Sequence, residues 1–242
     1  MEVNGRRVVV MGGGSGIGEA TAALFAARGA EVTITGRTRT KLEQAAARMT
    51  GKVNVAAFDA GDKQALTDFF VNHGPVDHLV IGVSSSLGAG EFATLDLEVL
   101  RQAFESKFWA HLQAAQVALP HLTERGSILF ITAASAQAAF PGTAGLAAVN
   151  GALEKVVPPL ATELAPIRVN AVSPGLVDTP WWDTLPSEAK AQLFEGISKT
   201  LPVGYVAQPE EIAEAIFTVA TNPYITGTVL EVAGGGHLAT GR

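Results

Sequence analysis

Seven residues, Gly12-Gly13-Gly14-Ser15-Gly16-Ile17-Gly18, separate an apolar run ending at Met11 from an alanine-rich segment that continues to Arg28. A glycine-rich bend between a strand and a helix lets backbone N–H groups and the helix N-terminus close on a diphosphate. The spacing is G-x-x-x-G-x-G on Gly12, Gly16 and Gly18. Ile17 and Glu19 stand where G-x-G-x-x-G would need glycine, and no Gly-Lys-Ser/Thr follows for a nucleoside triphosphate. A tight turn that binds nothing is the plain alternative, but the strand before it and the helix after it favour a phosphate cradle made by Gly12, Gly14, Ser15, Gly16, Ile17 and Gly18.

The rest of the chain repeats the same alternation. Apolar runs at 7–11, 31–35, 53–58, 78–82, 127–132, 168–172 and 229–232 read as strands. Segments 17–28, 39–49, 63–71, 97–119, 143–164 and 209–219 carry apolar residues at helical spacing. This predicts an α/β, single-domain, doubly wound Rossmann fold with a seven-stranded parallel sheet and helices on both faces. The 48% of hydrophobic residues can fill such a core, and no linker, charge block or repeat divides the 242 residues. Without cysteine there is no disulfide framework, thiolate metal site or Cys nucleophile. A net charge of −6 offers no general basic surface, which argues against nucleic acid as a partner. No apolar stretch reaches the roughly 20 residues of a membrane span, so the expectation is a cytoplasmic protein without a membrane partner. His73, His78, His121 and His237 lack ligand spacing, and no metal is expected.

About 20 residues beyond the glycines, a reader of a ribose 2′-hydroxyl would place a carboxylate at the end of the second strand. The chain has Gly36-Arg37-Thr38-Arg39 there instead. A guanidinium pairs with an extra phosphate that a carboxylate would repel, so Arg37, Thr38 and Arg39 favour NADP(H) over NAD(H). Two solvated arginines on a loop are the alternative. Asp59, with Ala60, closes the third strand and is placed either to accept from an adenine amino group or to cap the next helix. Gly82, Val83 and Ser84 close the fourth strand, at the edge where open α/β sheets keep ligands.

Together with the glycines, Arg168-Val-Asn-Ala-Val-Ser-Pro-Gly-Leu-Val-Asp-Thr-Pro180 and Ile225-Thr-Gly-Thr-Val-Leu-Glu-Val-Ala-Gly-Gly235 resemble the short-chain dehydrogenase/reductase family over nearly the full length. The resemblance implies nicotinamide contacts from Pro174, Gly175, Val177 and Thr179. It also implies a substrate lid at about 180–205, and a homodimer or homotetramer formed by the two long helices. Family members use a tyrosine as acid/base, a lysine four residues later, a serine thirteen residues earlier and an asparagine on the preceding long helix. Registering on Pro141 and on Gly151-Ala-Leu153 puts Leu146 at the tyrosine, Asn150 at the lysine and Ala133 at the serine, with Lys107 at the asparagine. The family's Asn-Asn-Ala-Gly becomes Ile81-Gly-Val-Ser84, and the two tyrosines, Tyr205 and Tyr224, lie well beyond the matching region.

A positioned acid contributes about 10²–10⁴-fold to proton transfer, and leucine supplies none of it. Lys107 and His111, four apart on one helix, are the candidate donors if their face borders the nicotinamide; a helix or oligomer surface is the alternative. Ser84, Ser85, Ser86, Thr132 and Ser135 are weaker hydroxyl candidates, and Asn150 retains the capacity to bind ribose hydroxyls without a lysine's charge. Trp181-Trp182-Asp183-Thr184-Leu185 and the amphipathic stretch 188–197 fit a lid over a bulky or aromatic small molecule, or core and interface packing. Two functions follow from these residues. One is an NADP(H)-dependent oxidoreductase acting on a carbonyl or alcohol through a nonstandard acid. The other is a catalytically silent NADP(H)-binding sensor or oligomeric partner.

Overall fold

Val8, Val9 and Val10 in the first strand are all fully buried, which requires protein on both faces of the sheet. The computed structural model describes residues 2–84 and 87–238. In chain order they form β1 (Arg7–Met11), α1 (Gly16–Ala27), β2 (Glu31–Gly36), α2 (Arg39–Arg48), β3 (Lys52–Ala57), α3 (Lys63–His73) and β4 (Val76–Ile81). Then come α4 (Leu97–Ala103), a π turn (Phe104–Trp109), α5 (Ala110–Ala118), β5 (Leu122–Ile131), α6 (Ala144–Glu163) and β6 (Arg168–Pro174). The chain closes with α7 (Ser187–Ser198), α8 (Pro209–Thr221) and β7 (Val229–Val232). All seven strands run parallel in the order β3-β2-β1-β4-β5-β6-β7. This is the single-domain Rossmann architecture that the sequence pattern predicts.

Alternate residues of each strand serve two separate cores. Val8 and Val10 join Val32, Ile34, Leu129 and Val172 under α1 and α8, where Phe25 and Phe217 meet at 4.9 Å. Val9 and Met11 join Leu79, Ile81, Phe130 and Ala171 under α3, α5 and α6. The order in which successive strands are added reverses between β1 and β4, so the crevice of the fold opens beyond Met11 and Ile81.

Several bounds differ from those predicted. β5 starts at Leu122 rather than 127, because Leu122 pairs with Val76 before a register shift, although Glu124 and Arg125 interrupt the apolar run. The helix expected over 97–119 contains the π turn. α6 runs through Pro158 and Pro159, both on its exposed face, where carbonyls that lose an N–H partner turn to water. The helix after β3 is capped by Asp62, whose carboxylate accepts from Gln64 and Ala65 N–H, and not by Asp59.

Candidate active site

The glycine turn owes its shape to what a side chain would strike. A β-carbon on Gly18 would lie on the Gly12 carbonyl, and one on Gly12, at φ +84°, would come within 2.6 Å of the Gly82 oxygen. Gly12 N–H donates to Thr35 and Gly82 N–H to Met11, so three strand ends are laced together at this point. Ser15, at the head of α1, has extended backbone and makes no side-chain cap, leaving the first N–H groups of the helix aimed outward. Glu19 in the first turn would oppose an anion, but the Arg48 guanidinium holds it at 2.7 Å. Gly16, at φ +54°, leaves room for Thr179, whose Cβ and Cγ2 lie 3.1 Å from the missing β-carbon. The turn and the loop after β6 therefore form opposite walls of one crevice.

Arg37 is exposed beyond β2 and makes no ion pair among the described residues, whereas Arg39 pairs with Glu43 at 3.6 Å. Thr38 is the exposed N-cap of α2 and makes no side-chain cap. Asp59 is exposed and folds back onto Gly61 N–H at 2.9 Å, while Ala60 behind it is buried. Gly82, Val83 and Ser84 follow β4, with Ser84 exposed; Ser85 and Ser86 lie outside the described residues. Across the crevice, Pro174 ends β6, Gly175 N–H donates to Val232, and Val177 is bridged to Ala207.

The wall beside the loop after β6 holds a buried polar cluster. Ala133 precedes a 3-10 turn, Ala134–Ala136, and Leu146 is half-buried on the first turns of α6. Asn150 is 3% exposed; its amide donates to the Leu146 carbonyl at 2.9 Å and to Ser135 Oγ at 3.2 Å, and its Oδ1 is buried without a partner among the described residues. One turn on, the buried Glu154 carboxylate accepts from Thr132 Oγ1 at 3.0 Å and from Ser173 Oγ at 2.7 Å. Thr132 thus faces inward and not toward a substrate. Lys107 sits in the π turn against α6, 9% exposed and without an ion pair among the described residues. Burial pushes its ammonium down to about 8, opposed by the pull of Glu154.

His111 lies deeper than Lys107. It is fully buried against Phe130, and burial together with the Lys107 charge pushes its imidazole down to about 3. The titrating imidazole expected from helical spacing is therefore a neutral interior ring. The π turn and the packing of α5 on the sheet, neither visible in that spacing, account for the difference. Tyr224 is 98% exposed, and Tyr205 donates to Glu211 at 2.6 Å beside α8, so neither tyrosine joins this cluster.

Beyond Thr179, Pro180–Thr184 forms a 3-10 turn leading to α7. Trp182 is fixed by its indole N–H on the Val177 carbonyl at 3.0 Å and by Phe194, while Trp181 is 41% exposed. Lys190 of α7 bridges Asp178 and Asp183 at 2.8 and 3.2 Å, tying this segment to the loop after β6. A cavity of about 540 Å³ opens between Glu91, Phe92, Ala138, Phe140, Pro141 and Ala147. Among the described residues no helix is long and apolar enough to cross a membrane, and no three acidic or histidine side chains converge as metal ligands.

The family model described as enoyl-(acyl carrier protein) reductase matches residues 12–237. A short-chain dehydrogenase/reductase from Serratia marcescens superimposes with a TM-score of 0.88 at 29% identity, covering 98% of this chain and all of the other. The chain belongs to the short-chain dehydrogenase/reductase family. Other members similar to it are mouse L-xylulose reductase, 33% identical over 248 residues and 98% of both chains, and a small-chain dehydrogenase solved in complex with NADPH. The latter has a TM-score of 0.82 at 31% identity, over 97% of this chain and 100% of that one.

Two features of this short-chain dehydrogenase/reductase escaped sequence reasoning. Glu154 could have been found as the one acidic member of the face Asn150, Leu153, Glu154, Val157, Ala161, which is buried. Arg168 and Asn170 explain why two distant motifs occur together. The Arg168 guanidinium donates to Val219, Ala220 and Ile225 carbonyls, and Asn170 binds the Ile225 carbonyl and the Thr228 N–H, so β6 clamps the segment leading to β7. The turn itself is testable. Gly18→Ala is expected to cost about 1–3 kcal/mol by forcing the backbone apart. Gly151→Ala in α6, with nothing within 4 Å of the new carbon, should leave thermal denaturation unchanged or raise its midpoint.

Proposed function

We propose that this protein is an NADPH-dependent reductase of a carbonyl compound in which Lys107 is the proton donor. The observation that carries this reading is a buried ammonium, without an ion pair among the described residues and held near 8, in the π turn that packs against α6. A lysine at its ordinary value donates poorly at neutral pH, and one near 8 is matched to the task. A similar solved protein is described with NADPH bound, and a similar curated protein is a reductase.

The crevice fits a nicotinamide dinucleotide on its own geometry. The outward N–H groups at Gly14 to Gly18 suit the diphosphate, and the unpaired Arg37, with Thr38 and Arg39, suits a 2′-phosphate. Asp59 and Ala60 would border the adenine, and Gly82, Val83, Ser84 and Asn150 the second ribose. Pro174, Gly175, Val177 and Thr179 would enclose the nicotinamide. Bound there, NADPH supplies the hydride. Lys107 gives its proton to the carbonyl oxygen as negative charge develops on it, and the resulting neutral amine recovers a proton from solvent. Glu154, held by Thr132 and Ser173, stabilises the charged form between turnovers. By the family register Leu146 and Ala133 leave the tyrosine and serine positions without a donor. The apolar cavity and the exposed Trp181 suit a bulky apolar or aromatic substituent, with the segment 180–205 as its lid.

A second reading, an NADPH-binding protein without turnover, is favoured by one observation: the Asn150 amide is already closed on Leu146 and Ser135. The family's helix pair also points to a second copy of the chain as partner. Leu97 and Trp109, 56% and 53% exposed on this helix, suit such an interface.

Fluorescence titration is expected to show NADPH binding at least tenfold tighter than NADH, with Arg37→Glu removing the difference; equal affinities in the wild type would reject the phosphate assignment. Lys107→Met should lower kcat by about 10²–10⁴-fold at unchanged NADPH affinity. The wild-type rate should be level below pH 8 and fall above it, because the donor must be protonated. A wild type that binds NADPH but reduces nothing in a carbonyl panel supports the silent reading. Light scattering should give about twice 25.0 kDa, and the pair Leu97→Asp and Trp109→Glu should give one copy.

A further inference from the structure

The π turn Phe104–Trp109 sets the position of Lys107, and the chain supplies a specific group to hold it. π turns are rare in helices and concentrate at functional sites, because the inserted residue disturbs the regular ladder of backbone bonds. Here the Lys107 carbonyl accepts from the Ala110 N–H, and also from Nδ1 of His111 at 2.7 Å. A carbonyl only accepts, so Nδ1 carries the proton. Nε2 is then the acceptor nitrogen of a neutral ring, and it is buried without a partner among the described residues.

The surroundings of that ring make it more than a local cap. His111 is fully buried, stands 6.0 Å from the Phe130 ring, and lies on α5, which packs on β4 and β5. Ile81 ends β4 immediately before Gly82-Val83-Ser84, and Ile131 ends β5 immediately before Thr132. One imidazole thus bonds the backbone of Lys107 on one side and packs against Phe130 of β5, under the helix that covers β4 and β5, on the other. Leucine of similar volume would fill the space but lose the bond to Lys107. Asparagine keeps a donor close to the place of Nδ1.

We propose that His111 is the positioning residue of the site: its Nδ1–H clamps the Lys107 carbonyl, and its wedged ring registers the π turn against the carboxyl ends of β4 and β5. The inference rests on Lys107 being the proton donor of the proposed reaction, although the clamp itself can be read without turnover. Among the described residues, the titratable groups facing Lys107 are His111 from α5 and Glu154 from α6. The neutrality of the ring matters because an imidazolium would add a second positive charge beside the ammonium. Burial and that same charge keep it neutral, outweighing the bond to the Lys107 carbonyl.

The test uses the full-length protein with ¹³Cε-labelled lysine, the Lys107 resonance being assigned by its absence in Lys107→Arg. The wild-type resonance should titrate with a midpoint near 8. In His111→Leu the released turn lets the amine reach water, so the midpoint should rise toward the ordinary lysine value of about 10.4. His111→Asn should keep it near the wild-type position. In parallel, His111→Leu should lose tenfold or more in kcat with unchanged NADPH affinity, and His111→Asn should recover most of it. Folding of each variant is checked by its thermal transition and by NADPH titration. A midpoint that does not move in folded His111→Leu, or one that moves equally in His111→Asn, overturns the clamp. A wild type without turnover, or one in which Lys107→Met remains active, overturns the proposed reaction and leaves the midpoint comparison to decide the clamp.

Discussion

Helix α1 reaches the end of β1 only because Gly18 can lie against the Gly12 carbonyl, a contact no other residue permits. That approach directs the uncapped start of α1 along the carboxyl edge of the sheet rather than over it. Parallel pairing does the rest, since it brings the ends of β1, β2, β4 and β5 to the same edge and laces the first three through Gly12 and Gly82. The crevice is consequently built of main chain. Its side chains, Arg37 and Thr179 among them, are placed by strand ends whose position is already fixed.

The opposite wall depends on a balance of charge and burial. Moving a lysine from 10.5 to about 8 disfavours its protonated form by about 3 kcal/mol at about 1.36 kcal/mol per unit. An apolar residue in the π turn would avoid that cost, and Leu146 and Ala133 show that apolar residues are tolerated nearby. Glu154 limits the cost without forming a contact ion pair. Its carboxylate is satisfied by Thr132 and Ser173, so it acts on Lys107 as a fixed field and leaves the ammonium's hydrogens free for another acceptor. A direct bond would have held the lysine more firmly and occupied the proton that the proposed reaction transfers.

The layers were legible because β1 and the latter parts of β4 and β5 are buried on both faces and so appear as unbroken apolar runs. The phosphate turn was legible because its glycines answer to steric contacts that leave no other choice. What escaped were features without a composition. A π turn adds one residue to a helix, and Phe-Glu-Ser-Lys-Phe-Trp carries no mark of it, so Lys107 and His111 read as neighbours on one face. The start of β5 was hidden by Glu124 and Arg125 at the sheet's far edge, where charged side chains reach water. Arg37 and Arg39 looked equivalent until the structure paired one of them with Glu43. The motif 168–180 was recognised by its pattern, whereas the reason for its arginine lies in carbonyls some fifty residues away.

Placing the donor on the π turn rather than on α6 also changes how a substrate would lie. Hydride delivery fixes the position of the carbonyl carbon against the nicotinamide, and the donor fixes where the oxygen points. With Lys107 as donor the oxygen turns toward the π turn, and the substituents swing toward Leu146, Ala147 and the cavity beside Phe140. An apolar residue at 146 then becomes part of the substrate's bed, because a buried hydroxyl there would need a partner that an apolar substituent does not offer. On the proposed reaction, the apolar Leu146 on α6 and the lysine in the neighbouring π turn serve one orientation of the substrate.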